Sequence, residues 1–162
     1  MKKFILNPIS MFVIGAVLGI ISKYFDIYFT FGEMFSELSI WILFGVIISI
    51  FSDTKKKAMI NILPFCLGML LTYYVTAELT NSIYYWKFIK GWFCFSLCSP
   101  IMAYFTWMTK ESGIFSKIIS CGIIIVTLIS NMVIFDGPRL YDIIIIIILI
   151  YLLFIKKIKR FN

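Results

Sequence analysis

Lys55-Lys56-Lys57-Ala58-Met59-Ile60-Asn61-Ile62-Leu63-Pro64-Phe65-Cys66-Leu67-Gly68-Met69-Leu70-Leu71-Thr72-Tyr73-Tyr74-Val75-Thr76-Ala77 is the stretch that decides the fold class. Three lysines precede an uncharged, mostly apolar run from Ala58 to Ala77. A helix that crosses a bilayer needs roughly 17–25 mostly apolar residues, and this run has that length. In hydrocarbon only a helix or a closed barrel satisfies its own backbone, so the run reads as a membrane-spanning helix with its lysines at the water boundary.

Five further apolar stretches flank it. Together the six cover residues 5–24, 38–51, 58–77, 88–108, 114–135 and 140–155. The second and sixth are short. Snorkelling lysines at the end of the sixth, and Pro138, Arg139 and Leu140 at its start, extend it. Of the 15 Lys and Arg residues, Lys2, Lys3, Lys55, Lys56, Lys57, Lys110, Lys117, Lys156, Lys157, Lys159 and Arg160 fall at alternate breaks between stretches. The other breaks hold Lys23, Lys87, Lys90 and Arg139 beside Asp26, Glu33, Glu37, Glu78, Asp136 and Asp142. Cytoplasmic loops are enriched in Lys and Arg, so the rich breaks are expected inside. The expected fold is all-α: a polytopic membrane helical bundle of six transmembrane helices in one domain, with both termini cytoplasmic. Five spans would put the ends on opposite sides.

Composition agrees. The chain is 62% hydrophobic and 14% charged, with a mean hydropathy of +1.01. Soluble domains are roughly 45–50% apolar and about 25% charged. The formal charge of +7 would suggest nucleic acid in a soluble chain, but here it is accounted for by inside lysines facing anionic lipid. The expected partner is therefore the lipid bilayer and not nucleic acid. The basic start and first apolar stretch show no small-x-small cleavage site, so the stretch is kept as a span.

The aromatic residues concentrate where the lysines are sparse. Tyr24, Phe25, Tyr28, Phe29, Phe31 and Phe35 crowd the connection from Lys23 to Glu37, and Tyr84, Tyr85 and Trp86 crowd the next one on that side. One reading is an aromatic belt at the membrane–water interface. The other is an outward-opening pocket in which rings line the wall and charged groups orient a ligand. A belt alone should dress both faces, and this imbalance motivates the second reading. Its candidate ligand-binding residues are Glu37, Tyr73, Tyr74, Glu78, Tyr84, Tyr85, Trp86 and Arg139, with Lys87 nearby.

No acid or base lies in the middle of a span and the chain has no His. Asn61 and Asn131 are expected to hydrogen-bond between helices. Pro64 and Pro100 remove backbone donors and should kink their helices. Gly15 and Gly19 form a small-xxx-small pair that permits close helix contact, a pattern also common by chance in apolar helices. Cys66, Cys94, Cys98 and Cys121 read as small hydrophobes, since no His, nearby acid or Cys-x-x-Cys spacing accompanies them. Serine–histidine and His-Glu-x-x-His chemistries lack their histidines, and nucleotide-binding glycine loops are missing. No catalytic residue, cofactor or metal is expected, and the chain is not expected to be an enzyme.

Two resemblances bear on function. Gly15-Ala16-Val17-Leu18-Gly19, the stretch Ile40–Ser52 closing on Asp53–Lys57, Leu67-Gly68-Met69-Leu70 with Tyr73-Tyr74, Ser99-Pro100 and the segment from Trp107 to Gly113 resemble a family of uncharacterised small multi-pass membrane proteins from low-GC Gram-positive bacteria. That resemblance implies a bacterial plasma-membrane location and brings no activity or catalytic residue. The size, six spans and inside termini are more loosely similar to substrate-binding S components of energy-coupling-factor transporters. Those bind vitamins or metals under outer loops and dock on a shared ATPase module. Gly15, Ala16 and Gly19 are a partial substitute for the alanine-rich docking pattern of that class's first helix. Two functions follow as expectations. One is a small-molecule binding or transport subunit with an outward-facing aromatic-lined site. The other is a non-catalytic interaction, assembly or immunity partner of another membrane complex or transporter module.

Overall fold

Asn7 starts the first helix by accepting the Ser10 N–H on its side-chain oxygen at 2.8 Å, with Pro8 at the first helical position, where a missing N–H costs nothing. The computed structural model describes residues 6–29, 34–35, 37–82, 84–134 and 137–158. Lys2, Lys3, Ile5, Phe31, Glu33, Phe135, Asp136, Lys159 and Arg160 of the readings above lie outside the described residues. The described chain is all-α, as expected, with six helices: α1 Pro8–Tyr28, α2 Leu38–Phe51, α3 Lys55–Leu79, α4 Trp86–Met108, α5 Ile114–Ile134 and α6 Leu140–Ile150. A π-helical turn, Tyr151–Ile155, carries α6 on to its end. α1, α3, α4 and α5 are long and apolar enough to cross a membrane.

The boundaries differ from the sequence reading where capping and charge pairing decide them. α3 takes in the three lysines because Thr54 caps it, accepting the Lys57 N–H at 3.2 Å. α1 starts at Pro8, not residue 5, and runs on past residue 24 to Tyr28. Lys23 and Asp26, three apart and 2.7 Å from each other, neutralise one another on the helix and do not end it. The aromatic run from Tyr24 to Tyr28 is thus the last turn of α1.

α1 and α3 make the closest helix pair, and glycines make it possible. A Cβ at Gly15 would collide with the Phe65 carbonyl oxygen and lie 2.9 Å from its carbon, and one at Gly68 would lie 2.6 Å from the Phe12 oxygen. One at Gly19 would strike Met69 and Thr72. The Thr72 hydroxyl donates to the Ala16 carbonyl across the crossing at 2.7 Å. Gly15 and Gly19 therefore carry far more of the fold than their common motif suggested.

α2, 14 residues and about 21 Å long, is shorter than a hydrocarbon core of roughly 30 Å. It is the central helix: Trp41, Leu43, Val46, Ile48 and Ile50 are all buried. Outward faces elsewhere are apolar, with Ile9, Val17, Leu97, Ile101, Ile118, Val133 and Ile147 exposed. Buried small hydroxyls turn inward and bond back to their own helix, as Ser49 does to Gly45, Ser96 to Trp92, Thr106 to Met102, Ser120 to Ser116 and Thr127 to Ile123. Apolar outside and hydroxyl inside is the arrangement that lipid, not water, favours.

α3 and α4 run on through Pro64 and Pro100. Pro100 leaves the Ser96 carbonyl without its usual donor, and the Ser99 hydroxyl supplies one at 2.7 Å. Asn61, expected to bond to another helix, instead ties its helix to residues just outside two others, the Leu6 carbonyl at 3.3 Å and the Ser52 hydroxyl at 3.5 Å. Asn131 is fully buried, but its side-chain amide has no partner among the described residues. Cys66 is a buried packing residue, whereas Cys94, Cys98 and Cys121 face outward.

The described lysines of the lysine-rich breaks gather at one end of the bundle. Lys55 pairs with Glu111 at 2.9 Å, and the Trp107 indole N–H donates to the Ser52 carbonyl at 2.9 Å. The Lys110 ammonium donates to carbonyls of the π turn that ends α6, those of Leu152 and, at 2.8 Å, Leu153, and to that of Lys156 just after it at 2.9 Å. Such carbonyls have no intrahelical donor and take a cation well.

Candidate functional site

At the other end, α1 to α4 and the turn before α4 line an open cavity of about 670 Å³. α4 contributes a face at helical spacing, Phe88, Gly91, Trp92 and Phe95, and the turn before it brings in Tyr84 and Tyr85. α3 contributes Leu70, Tyr73 and Tyr74, and α2 contributes Leu38 and Trp41. Trp41 and Trp92 stack with centroids 5.1 Å apart and planes at 20°. Tyr73, Tyr74, Tyr84 and Trp86 then form a run of edge-on rings at 5.3, 5.9 and 6.5 Å.

Two lysines border the cavity, and they differ. Lys23 is buried, 2.7 Å from Asp26 and over the Tyr73 ring at 5.1 Å. The Tyr73 hydroxyl donates to the same Asp26 oxygen at 2.9 Å, so Lys23, Asp26 and Tyr73 form one neutral, hydrogen-bonded wall. Lys87 is exposed and is the cation available to a ligand. Tyr84 donates to the Glu78 carboxylate, and that bond holds its hydroxyl proton above the ordinary phenol range.

Of the eight candidate residues, Tyr73, Tyr74, Tyr84 and Tyr85 line this cavity. Glu78 reaches it through Tyr84, while Trp86 is largely exposed and touches it by its edge contact with Tyr84. Glu37 and Arg139 stand elsewhere, in a polar cluster that ties the start of α2 to the start of α6. Tyr141 donates to Glu37 Oε1 at 2.5 Å, Arg139 Nη1 donates to Tyr141 at 2.9 Å, and Arg139 Nη1 lies 3.5 Å from the same Glu37 oxygen. Asp142 accepts from Ser39 at 2.7 Å and from the Arg139 backbone N–H at 2.9 Å. Glu37 is 1% exposed. Burial chiefly, together with the nearby Asp142, raises its pKa, opposed by the Tyr141 hydrogen bond and Arg139.

Sequence reasoning missed Lys23, Asp26, Trp41, Trp92 and Phe95 at the cavity, and Ser39, Tyr141 and Asp142 in the cluster. The spacing of Phe88, Trp92 and Phe95 was a usable signal. The stacking of Trp41 on Trp92 was not, since it joins separate helices. Among the described residues no group of three or more His, Cys, Asp and Glu side chains is placed to hold a metal. The cavity's chemistry is that of rings, one available ammonium and hydroxyls, suited to holding a flat molecule. No protein family, curated protein or solved structure matches this chain.

Proposed function

We propose that this chain is a multi-pass membrane protein of the bacterial plasma membrane, with both termini cytoplasmic, and that its aromatic-lined outer cavity binds a small planar molecule. The carrying observation is the convergence of Tyr73, Tyr74, Tyr84, Tyr85, Trp41 and Trp92 on one space of about 670 Å³. Ligand sites commonly measure roughly 300–1,000 Å³ and are mainly apolar with a few placed polar groups. Each well-placed ring pair adds about 0.5–1.5 kcal/mol beyond area burial, which favours an aromatic ligand over an aliphatic one. Lys87 at the mouth suits a neutral or anionic substituent. The neutral Lys23–Asp26 pair and the absence of mid-span charge support a binding or carrier subunit over a path for hydrophilic ions.

Gly91 supplies the test, because a Cβ there meets nothing within 4 Å and would project into open space. Indole and 1-naphthol are titrated by calorimetry into protein in lipid nanodiscs, with empty nanodiscs as reference. Saturable binding is expected for the wild type. Gly91→Trp adds an indole to the cavity wall, occupying part of its space, and is expected to weaken the binding while leaving thermal stability intact. Equal heats from the two proteins, or none above the empty discs for the wild type, would refute the proposal.

A further inference from the structure

The lysine-rich end holds a second, smaller cavity of about 270 Å³ between the α4–α5 connection, the first turns of α5 and the chain after α6. Its charged lining differs in kind from that of the aromatic cavity. Lys117 comes from α5, Lys156 and Lys157 follow the π turn, and the α4–α5 connection adds Lys110 and Glu111, whose carboxylate is paired with Lys55. Lys117, Lys156 and Lys157 are exposed, and no ion pair or hydrogen bond of their ammonium groups is formed with the described residues. Of the other described lysines around this end, Lys55 is held by Glu111, Lys57 by Asp53 at 2.6 Å and Lys110 by carbonyls at the end of the π turn, while Lys56 is exposed and does not line the cavity. Three uncompensated cations thus converge on one small polar space from segments far apart in sequence.

The surroundings indicate what would neutralise them. The faces that run from the cavity along α5 and the end of α6 are apolar and exposed, with Ile114 at 78%, Ile118 at 60% and Ile155 at 63%. Phe154 borders the cavity itself. A phosphate group carrying acyl chains meets both requirements at once, its charge among the lysines and its chains on the isoleucines. Free phosphate meets only the first. We propose that Lys117, Lys156 and Lys157 form a site for the headgroup of an anionic phospholipid at the cytoplasmic surface.

A lysine within a Debye length of an anionic lipid headgroup contributes about fivefold in affinity, and one farther off is largely screened. Retention of phosphatidylglycerol against phosphatidylcholine is measured by native mass spectrometry on protein released from mixed nanodiscs. The wild type is expected to keep phosphatidylglycerol selectively. Lys117→Gln should lower that selectivity about fivefold and the triple glutamine variant about a hundredfold. Lys117→Arg should keep it. Lys56→Gln removes an equal charge from the same end but outside the cavity, and should change it less than about twofold. An equal loss from Lys56→Gln would show a diffuse surface effect and overturn the site. So would unchanged selectivity in the triple variant, with its melting temperature as the check on folding. Displacement of the lipid by inorganic phosphate alone would overturn the assignment to a membrane lipid.

Discussion

Gly15→Ala is expected to destabilise the protein by about 1–3 kcal/mol, although alanine is the better helix former. The new Cβ would lie 2.9 Å from the Phe65 carbonyl carbon and 3.1 Å from its Cα, both backbone atoms of α3. Carbon atoms rest at about 3.5–4.0 Å, so α1 and α3 must part by roughly 0.6 Å or more at that level. A gap of that size forfeits a quarter to a half of the dispersion energy of each contact it opens. The Thr72–Ala16 bond, 2.7 Å long, crosses the same contact and would be stretched. Interhelical hydrogen bonds in membranes are worth about 0.6 kcal/mol on average. Against these losses stands a propensity gain of at most about 1 kcal/mol. That gain shrinks in hydrocarbon, where the helix forms regardless because nothing else satisfies its backbone.

Gly122→Ala makes the control, because nothing lies within 4 Å of a Cβ at that position. It is expected to stay within about 0.5 kcal/mol of the wild type. The assay is unfolding of purified protein in mixed micelles by increasing sodium dodecyl sulfate, followed by circular dichroism and tryptophan emission. Gly15→Ala should unfold at a clearly lower detergent fraction than both the wild type and Gly122→Ala. Coincident curves for the two alanine variants would refute the reasoning that backbone contact at Gly15 holds α1 to α3.

Two further outcomes follow from single polar contacts. Burial raises the Glu37 pKa above its ordinary 4.5, so the folded state holds that proton more tightly; the resulting stability is fully present below about pH 4.5 and is lost as pH rises through the raised value. Glu37→Gln should flatten that part of the stability–pH curve, and an unchanged slope in the same unfolding assay would count against Glu37 as its source. Ser99→Ala should cost about 1 kcal/mol by leaving the Ser96 carbonyl unbonded, and should cost much less in a Pro100→Ala background, where residue 100 regains an N–H to donate. A double-mutant cycle with no coupling would refute that assignment.

The parts of the fold legible in the sequence are those that the bilayer alone dictates. Long uncharged runs had to be helices, and Glu37 and Ser52 bracketed α2 at its true ends. The end of α1 was misread because Lys23 and Asp26 look like loop residues one at a time. As an i,i+3 pair they cost the helix little. The aromatic cavity was half legible: an excess of tyrosine at one end is a compositional fact, and it located Tyr73, Tyr74, Tyr84 and Tyr85. Trp41 and Trp92 became part of it only through the packing of α2 on α4. Glu37 and Arg139 met the same limit from the other side. Their charge marked them as contacts of one outer site, whereas Tyr141, 104 residues from Glu37, joins both in a polar cluster apart from the aromatic cavity.

Gly15 and Gly68 show why such pairings stay hidden. A small-xxx-small motif says only that a helix can be approached closely, and almost every apolar helix contains one. It becomes specific when the partner helix carries its own glycine opposite, as Gly68 on α3 stands against Phe12 and Ala16 on α1. Lipid gives apolar side chains no reason to choose one another over acyl chains, so close backbone contact and a crossing hydrogen bond must do the choosing. In this bundle the choice between helices falls to glycines and hydroxyls, the residues that hydropathy ranks as least informative, while the isoleucines that announce the fold mostly face outward.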